Sequence, residues 1–255
     1  MLFRSVQATS DMACAYKINS APYEAAGAAG LRAMQGTIRC IHEQAPGVPV
    51  ILDYKRGDTG HTNAGYSSSA FDFLKADAVT VNPYMGYVSL EPFISQTDKG
   101  VIVLCRTSNL GAGEFQDQMV AVAYRDADRW EIPRCTPMPF YQLVAYRVSR
   151  EWNRSGNCVV VVGATCPEEL AIVRNIVGDM PILIPAIGAQ GGDVEKTVRA
   201  GKDRFGQGII LSSSRSVIYA SSGSDFAEAA RAEVDALTKQ VRICVGTRPM
   251  ARQGA

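Results

Sequence analysis

In Val48-Pro49-Val50-Ile51-Leu52-Asp53-Tyr54-Lys55-Arg56-Gly57-Asp58-Thr59-Gly60-His61-Thr62, an unbroken apolar run ends on charged residues and then a glycine-bearing turn. Apolar residues in succession, without alternation, fit a strand buried on both faces, as in a parallel sheet covered by helices. The pattern returns at Met12 to Lys17, Ala78 to Val81, Val101 to Leu104, Cys158 to Val162, Ile182 to Ile184 and Gly208 to Leu211, giving seven runs. The segments between them are helix-like. Ala21 to Gln44 carries Leu31, Met34 and Ile38 at helical spacing, and Ser67 to Leu74, Met138 to Trp152, Pro167 to Val177 and Asp225 to Val241 behave alike. Strand and helix in alternation predict an α/β fold with right-handed crossovers, either an open doubly wound sheet or a closed (β/α) barrel.

No linker of Pro, Gly or Ser composition divides the chain, so residues 1–241 are expected to form one domain and 242–255 a tail. The stretch from Ser108 to Pro139 is too long for an ordinary loop and is expected to hold a small hairpin around Met119 to Ile132.

The 255 residues include 26 Lys+Arg and 25 Asp+Glu, a formal net charge of +1. Without a basic block there is no electrostatic footprint for nucleic acid or an anionic membrane. No apolar run approaches the roughly 18 residues that span a bilayer, and the start, Met1-Leu2-Phe3-Arg4, lacks the apolar core and small-residue cleavage site of a signal peptide, so none is expected. The seven cysteines form no CxxC pair and read as reduced thiols of a cytoplasmic protein. The two histidines match no metal-binding spacing, and no metal or cofactor is expected.

The chemistry gathers where strands end. Period-two geometry points Asp53 and Lys55 to the same side, and Asp58 follows in the loop. Carboxylates alternating with ammonium groups shift pKa values and hold a lysine ready to give up a proton; a plain salt bridge closing the strand end is the competing reading. Lys17, at the end of its own run and followed by Asn19, extends the set to Lys-Asp-Lys-Asp if neighbouring strands end on one rim. Gly188-Ala189-Gln190-Gly191-Gly192-Asp193 follows a strand with a glycine-rich turn, and Ser212-Ser213-Ser214-Arg215-Ser216 follows the next with an arginine. Two such loops late in a barrel suit a phosphate, although Arg215 would equally serve a carboxylate on the rim. Arg106-Thr107-Ser108-Asn109 brings hydroxyls and an amide suited to a heterocyclic base or to a capped turn.

Taken in order, Asp53 to Thr62, Ala76 to Gly86, Arg106 to Asn109 and Gly188 to Asp193 resemble the orotidine 5'-phosphate decarboxylases, in the branch typical of mycobacteria and related to the parasite enzymes. The resemblance runs from about Met12 to Ala220. It implies a (β/α)8 TIM-type barrel, a homodimer with shared sites, and cofactor-free conversion of orotidine 5'-phosphate to UMP and carbon dioxide. It also implies a charged tetrad of Lys17, Asp53, Lys55 and Asp58, with Lys55 protonating C6 and Asp53 lying against the departing carboxylate. Asp58, Thr59 and Thr62 would reach into the partner's site. Thr107 and Ser108 would meet the base, Asn19 the ribose and base, and Gln190 and Arg215 the phosphate, under a closing loop from Gly188 to Val194. Four departures stand out. A first strand ending in aspartate has no counterpart among the eleven residues before Met12, which read as the end of a helix. Thr59 replaces the usual isoleucine, and Ala186 and Ser216 replace glycines. Two other readings compete: a magnesium-dependent sugar-phosphate decarboxylase or lyase of the same superfamily, and a non-catalytic nucleotide-binding barrel.

Overall fold

The β-branched runs become parallel strands because helices cover one face of the sheet and an inner cluster of side chains fills the other. The computed structural model describes residues 2–133, 137–187 and 192–246. Its strands are β1 (Tyr16–Asn19), β2 (Val50–Arg56), β3 (Ala78–Val81), β4 (Gly100–Arg106), β5 (Met119–Ala121), β6 (Pro137–Pro139), β7 (Cys158–Val162), β8 (Ile182–Pro185) and β9 (Ile209–Ser212). Seven form one parallel sheet in the order β1-β2-β3-β4-β7-β8-β9, the sequential order of a (β/α)8 barrel. Among the described residues β1 and β9 do not pair with each other, so they are the edges of this sheet.

The helices are α1 (Leu2–Thr9), α2 (Ala21–Ala25), α3 (Gly27–Gln44), α4 (Gly60–Ser68), α5 (Tyr87–Ile94), α6 (Gly113–Gln116), α7 (Tyr124–Trp130), α8 (Phe140–Arg147), α9 (Pro167–Val177), α10 (Val194–Gly201), α11 (Arg215–Ile218) and α12 (Phe226–Val245). None is long and apolar enough to cross a membrane.

Several expected segments need correction, among them the helix over Ala21 to Gln44, which is interrupted at Ala26 into α2 and α3. The segment after Met119 is no hairpin ending at Ile132: β5 pairs antiparallel with β6, and α7 stands between them. The helix expected from Ser67 begins at Gly60, and Ser69–Phe73 continues it as a π turn. The last helix passes Val241 and ends at Val245, before Gly246 at φ 86°.

Side chains sort by strand period. Val50, Leu52, Val79, Val101, Val103, Val160 and Ile184 pack outward among the helices, with Met34, Ile38, Leu90, Phe93 and Leu170. The alternate residues Ile51, Ala78, Ile102, Val161 and Leu183 form a second, inner cluster. This inner cluster fills the barrel interior beneath the strand ends, so the next inward-facing positions, Asp53 above Ile51 and Thr80 above Ala78, line its C-terminal mouth.

Candidate active site

β1 and β2 run in register, with Lys17 beside Ile51 and Asn19 beside Asp53, and both strands deliver their polar residues to the same rim. Asp53 is only 7% exposed, yet it is fully paired. Lys17 Nζ donates to its Oδ2 at 2.8 Å, and Lys55 Nζ donates to its Oδ1 at 2.6 Å. Thr80 Oγ1, from β3, donates to the same Oδ1 at 2.9 Å. Burial works to raise the Asp53 pKa, but the two ammonium groups outweigh it and hold the carboxyl below its ordinary value. The sequence reading of a strand-end ion array therefore describes Lys17, Asp53 and Lys55.

Asp58 stands apart from this cluster. Among the described residues it forms no ion pair with either lysine, and its Oδ1 accepts the Thr59 N–H at 2.6 Å. Its backbone is held by a buried side chain that sequence reading missed. Asn63 Oδ1 accepts the Asp58 N–H at 3.1 Å, and Asn63 Nδ2 donates to the Asp58 carbonyl at 2.8 Å and to the Ser89 carbonyl at 2.7 Å. The Ser89 hydroxyl also donates to the Asp58 carbonyl. This clamp fixes the loop that carries Asp58 and Thr59 and the first turn of α4 that carries Thr62, with the two threonine hydroxyls 3.4 Å apart.

The loop after β4 is equally built. The Thr107 N–H donates to Gln116 Oε1 at 2.8 Å, Gln116 Nε2 donates to Thr107 Oγ1 at 2.8 Å, and that hydroxyl donates to Asn109 Oδ1 at 2.6 Å. Arg106 braces it from below through Asp117 and the Thr107 carbonyl. Ser108, at the turn, rests on Gly163, the residue after β7. A Cβ there would lie 2.6 Å from Ser108 Cβ and 3.0 Å from its Cα. Gly163 is thus required for close approach, a role with no local sequence pattern to reveal it. Asn19 Oδ1 accepts the Ala21 N–H at 3.1 Å and so shapes the entry to α2.

On the opposite arc, Arg215 begins α11, is exposed and has no carboxylate partner among the described residues. Among the described residues the rim salt bridge considered as its alternative is not formed. Nearby, the Ser213 and Ser216 hydroxyls are 2.5 Å apart, and Asp193 caps α10 by accepting the Lys196 N–H at 3.0 Å. Gln190 lies outside the described residues, as does most of the loop expected to close. Ala186 has φ 76°, a left-handed conformation that costs an L-residue about 1 kcal/mol relative to glycine, which explains why glycine is usual in that motif.

Comparison with known proteins shows the family and the fold. The Orotidine 5'-phosphate decarboxylase / HUMPS family matches residues 2–232. The sequence is 47% identical over 238 residues to an orotidine 5'-phosphate decarboxylase of Cellvibrio japonicus, covering 93% of this chain and 81% of that protein. The solved structure of Leishmania donovani OMP decarboxylase matches with a TM-score of 0.77 at 35% identity, covering 93% of this chain and 86% of that one. Leishmania donovani UMP synthase matches with a TM-score of 0.82 at 36% identity over 95% of this chain, which spans about half, 49%, of that larger chain.

Proposed function

The chain belongs to the orotidine 5'-phosphate decarboxylase / HUMPS family, and on that premise we propose that it converts orotidine 5'-phosphate to UMP and carbon dioxide in the last step of pyrimidine nucleotide synthesis. The observation that carries this reading is the Lys17, Asp53 and Lys55 array at the strand ends, with its 2.8 and 2.6 Å ion pairs. Breaking the bond between C6 and the carboxyl carbon leaves an electron pair on C6 of the pyrimidine. Lys55 Nζ donates a proton to that carbon and becomes the amine as carbon dioxide departs. An ammonium fixed beside C6 stabilises the developing charge more than it stabilises the substrate. Asp53, paired on both oxygens, stays ionised and lies against the departing carboxylate.

Ser108 and Thr107 contact the base and Asn19 the ribose, while Arg215 and Gln190 hold the phosphate. That Arg215 has no carboxylate partner among the described residues supports its part. Phosphate binding, remote from the broken bond, supplies energy to close the loop at Gly188 to Val194 and exclude water.

The active form is a homodimer. One protomer brings two ammonium groups and one carboxylate together while, among the described residues, its own Asp58 pairs with neither lysine, so an Asp58 from a second copy would complete the alternation. Beside the Asp58 loop, Tyr84, Met85 and Val88 expose apolar surface, and Gly60 packs against the Val88 carbonyl, which suits a contact face at that place. The six described cysteines are free thiols, which supports action in the reducing cytoplasm.

The test is direct. The purified chain is mixed with orotidine 5'-phosphate, and UMP formation is followed with and without EDTA. The wild type turns over in both, and Lys55→Ala loses more than about a thousandfold in kcat. Turnover unaffected by Lys55→Ala would refute the proposal. Tight UMP binding without turnover would identify a non-catalytic nucleotide-binding barrel, and loss of activity in EDTA would favour the magnesium-dependent sugar-phosphate chemistry.

A further inference from the structure

Lys55 does not sit on a regular strand. Four residue steps along β2, from Leu52 to Arg56, match only two along β3, from Val79 to Val81, so two extra residues bulge opposite Thr80. Within this bulge Lys55 takes φ 49°, the left-handed conformation that a lysine adopts only under constraint. Its main-chain N–H, displaced from the ladder, donates instead to Thr80 Oγ1 at 3.1 Å. The same hydroxyl passes its own hydrogen to Asp53 Oδ1 at 2.9 Å, the oxygen that also receives Lys55 Nζ. Thr80 is 1% exposed, so its hydroxyl is out of contact with bulk solvent.

One hydroxyl thus touches both ends of Lys55's constraint: the backbone from which the side chain springs and the carboxylate against which its ammonium rests. We propose that Thr80 is a positioning residue for the decarboxylation, holding Lys55 Nζ in the direction of the reacting carbon. The proposal rests on the reading of Lys55 as proton donor. Without the hydroxyl, Lys55 is the remaining partner of Oδ1 among the described residues, which draws the ammonium toward Asp53 and away from C6. The Lys55 N–H also loses its acceptor, and the bulge loses the bond that defines it. Chain-like polarisation through N–H, hydroxyl and carboxylate strengthens each member while all are present.

Valine matches threonine in shape and lacks the hydroxyl; serine keeps the hydroxyl and lacks the methyl. The experiment compares wild type, Thr80→Val and Thr80→Ser for kcat and KM, for UMP affinity, and for exchange of the Lys55 amide hydrogen. Thr80→Val is expected to lower kcat about ten- to a hundredfold, with UMP affinity within about twofold of wild type. Thr80→Ser is expected to restore most of kcat, and Lys55 amide protection is lost in Thr80→Val alone. A Thr80→Val enzyme with wild-type kcat overturns the proposal, and so does a parallel loss of kcat and UMP binding that serine fails to rescue. Amide exchange needs no turnover: unchanged protection of Lys55 in Thr80→Val refutes the positioning role even if the wild type proves inactive. In that case the decarboxylase reading fails on its own evidence.

Discussion

Replacing Gly163 by alanine should move the base-binding loop by a calculable amount. The added methyl would lie 2.6 Å from Ser108 Cβ and 3.0 Å from both its Cα and its N. Carbon atoms in contact prefer about 3.5–4.0 Å, so Ser108 must retreat by about 1 Å. Two of the atoms in the way are backbone, and the segments are stitched together just below, where the Gly163 N–H donates to the Arg106 carbonyl at 2.8 Å. Gln116 pins Thr107 from the other side, so the movement falls on Ser108 and Asn109. Overpacking of this kind costs about 1–3 kcal/mol of folding stability. A 1 Å misplacement of a substrate-positioning group costs about a hundredfold in kcat/KM. Steady-state decarboxylation, UMP titration and urea denaturation of Gly163→Ala measure the three quantities. Ser108→Ala and the double variant complete the cycle: if the alanine acts through Ser108, the double variant has the kcat/KM of Ser108→Ala within about twofold. Wild-type kcat/KM in Gly163→Ala, together with the expected loss of stability, would refute the placement of Ser108 against the base.

Two further outcomes follow from buried charges. Arg174 is 8% exposed and donates to the carbonyls of Gly178, Met180, Gly201 and Gly208 at 2.6–2.8 Å, tying α9 to the ends of α10, β8 and β9 away from the site. Arg174→Met strands those four acceptors and should cost about 3–5 kcal/mol in urea denaturation, with kcat of the folded fraction unchanged; a loss below about 1 kcal/mol would show that water replaces the guanidinium. Asp53 has a native pKa held below that of an unfolded aspartate, so its ion pairs contribute fully above about pH 4 and lose that contribution as pH falls through the depressed native value. The melting-temperature gap between wild type and Asp53→Asn should therefore be flat from neutral pH to about pH 5 and narrow in acid, whereas a gap that widens on acidification contradicts the assignment.

How far the sequence discloses this molecule depends on whether a residue's role is set by its neighbours along the chain. Ala78 to Val81 and Cys158 to Val162 coincide with β3 and β7, because an apolar β-branched run buried on both faces is a local statement about environment. The run placed from Met12 begins as a strand only at Tyr16, where Val50 first provides a pairing partner; Met12 to Ala15 are apolar but have no ladder. Helix α4 starts at Gly60 in a stretch with no apolar stripe, and tertiary bonds from Asn63 to Asp58 and Ser89 anchor its first turn in place of periodicity.

The site divides along the same line. Asp53 and Lys55 are two residues apart on one strand, so their meeting follows from strand geometry, and Lys17 joins them because parallel strands end on one rim. Thr80 and Gly163 act on residues 25 and more positions away, across strand pairs whose register no local pattern specifies. The bulge sharpens the point. A regular β2 would still carry Asp53 and Lys55 on one face, and their spacing alone would make an ordinary strand-end salt bridge. What changes the pair is the left-handed turn at Lys55, which costs about 1–2 kcal/mol and persists because Thr80, a strand away, accepts the displaced N–H. The sequence motif supplies the ions, and a contact outside the motif sets the direction in which one of them points.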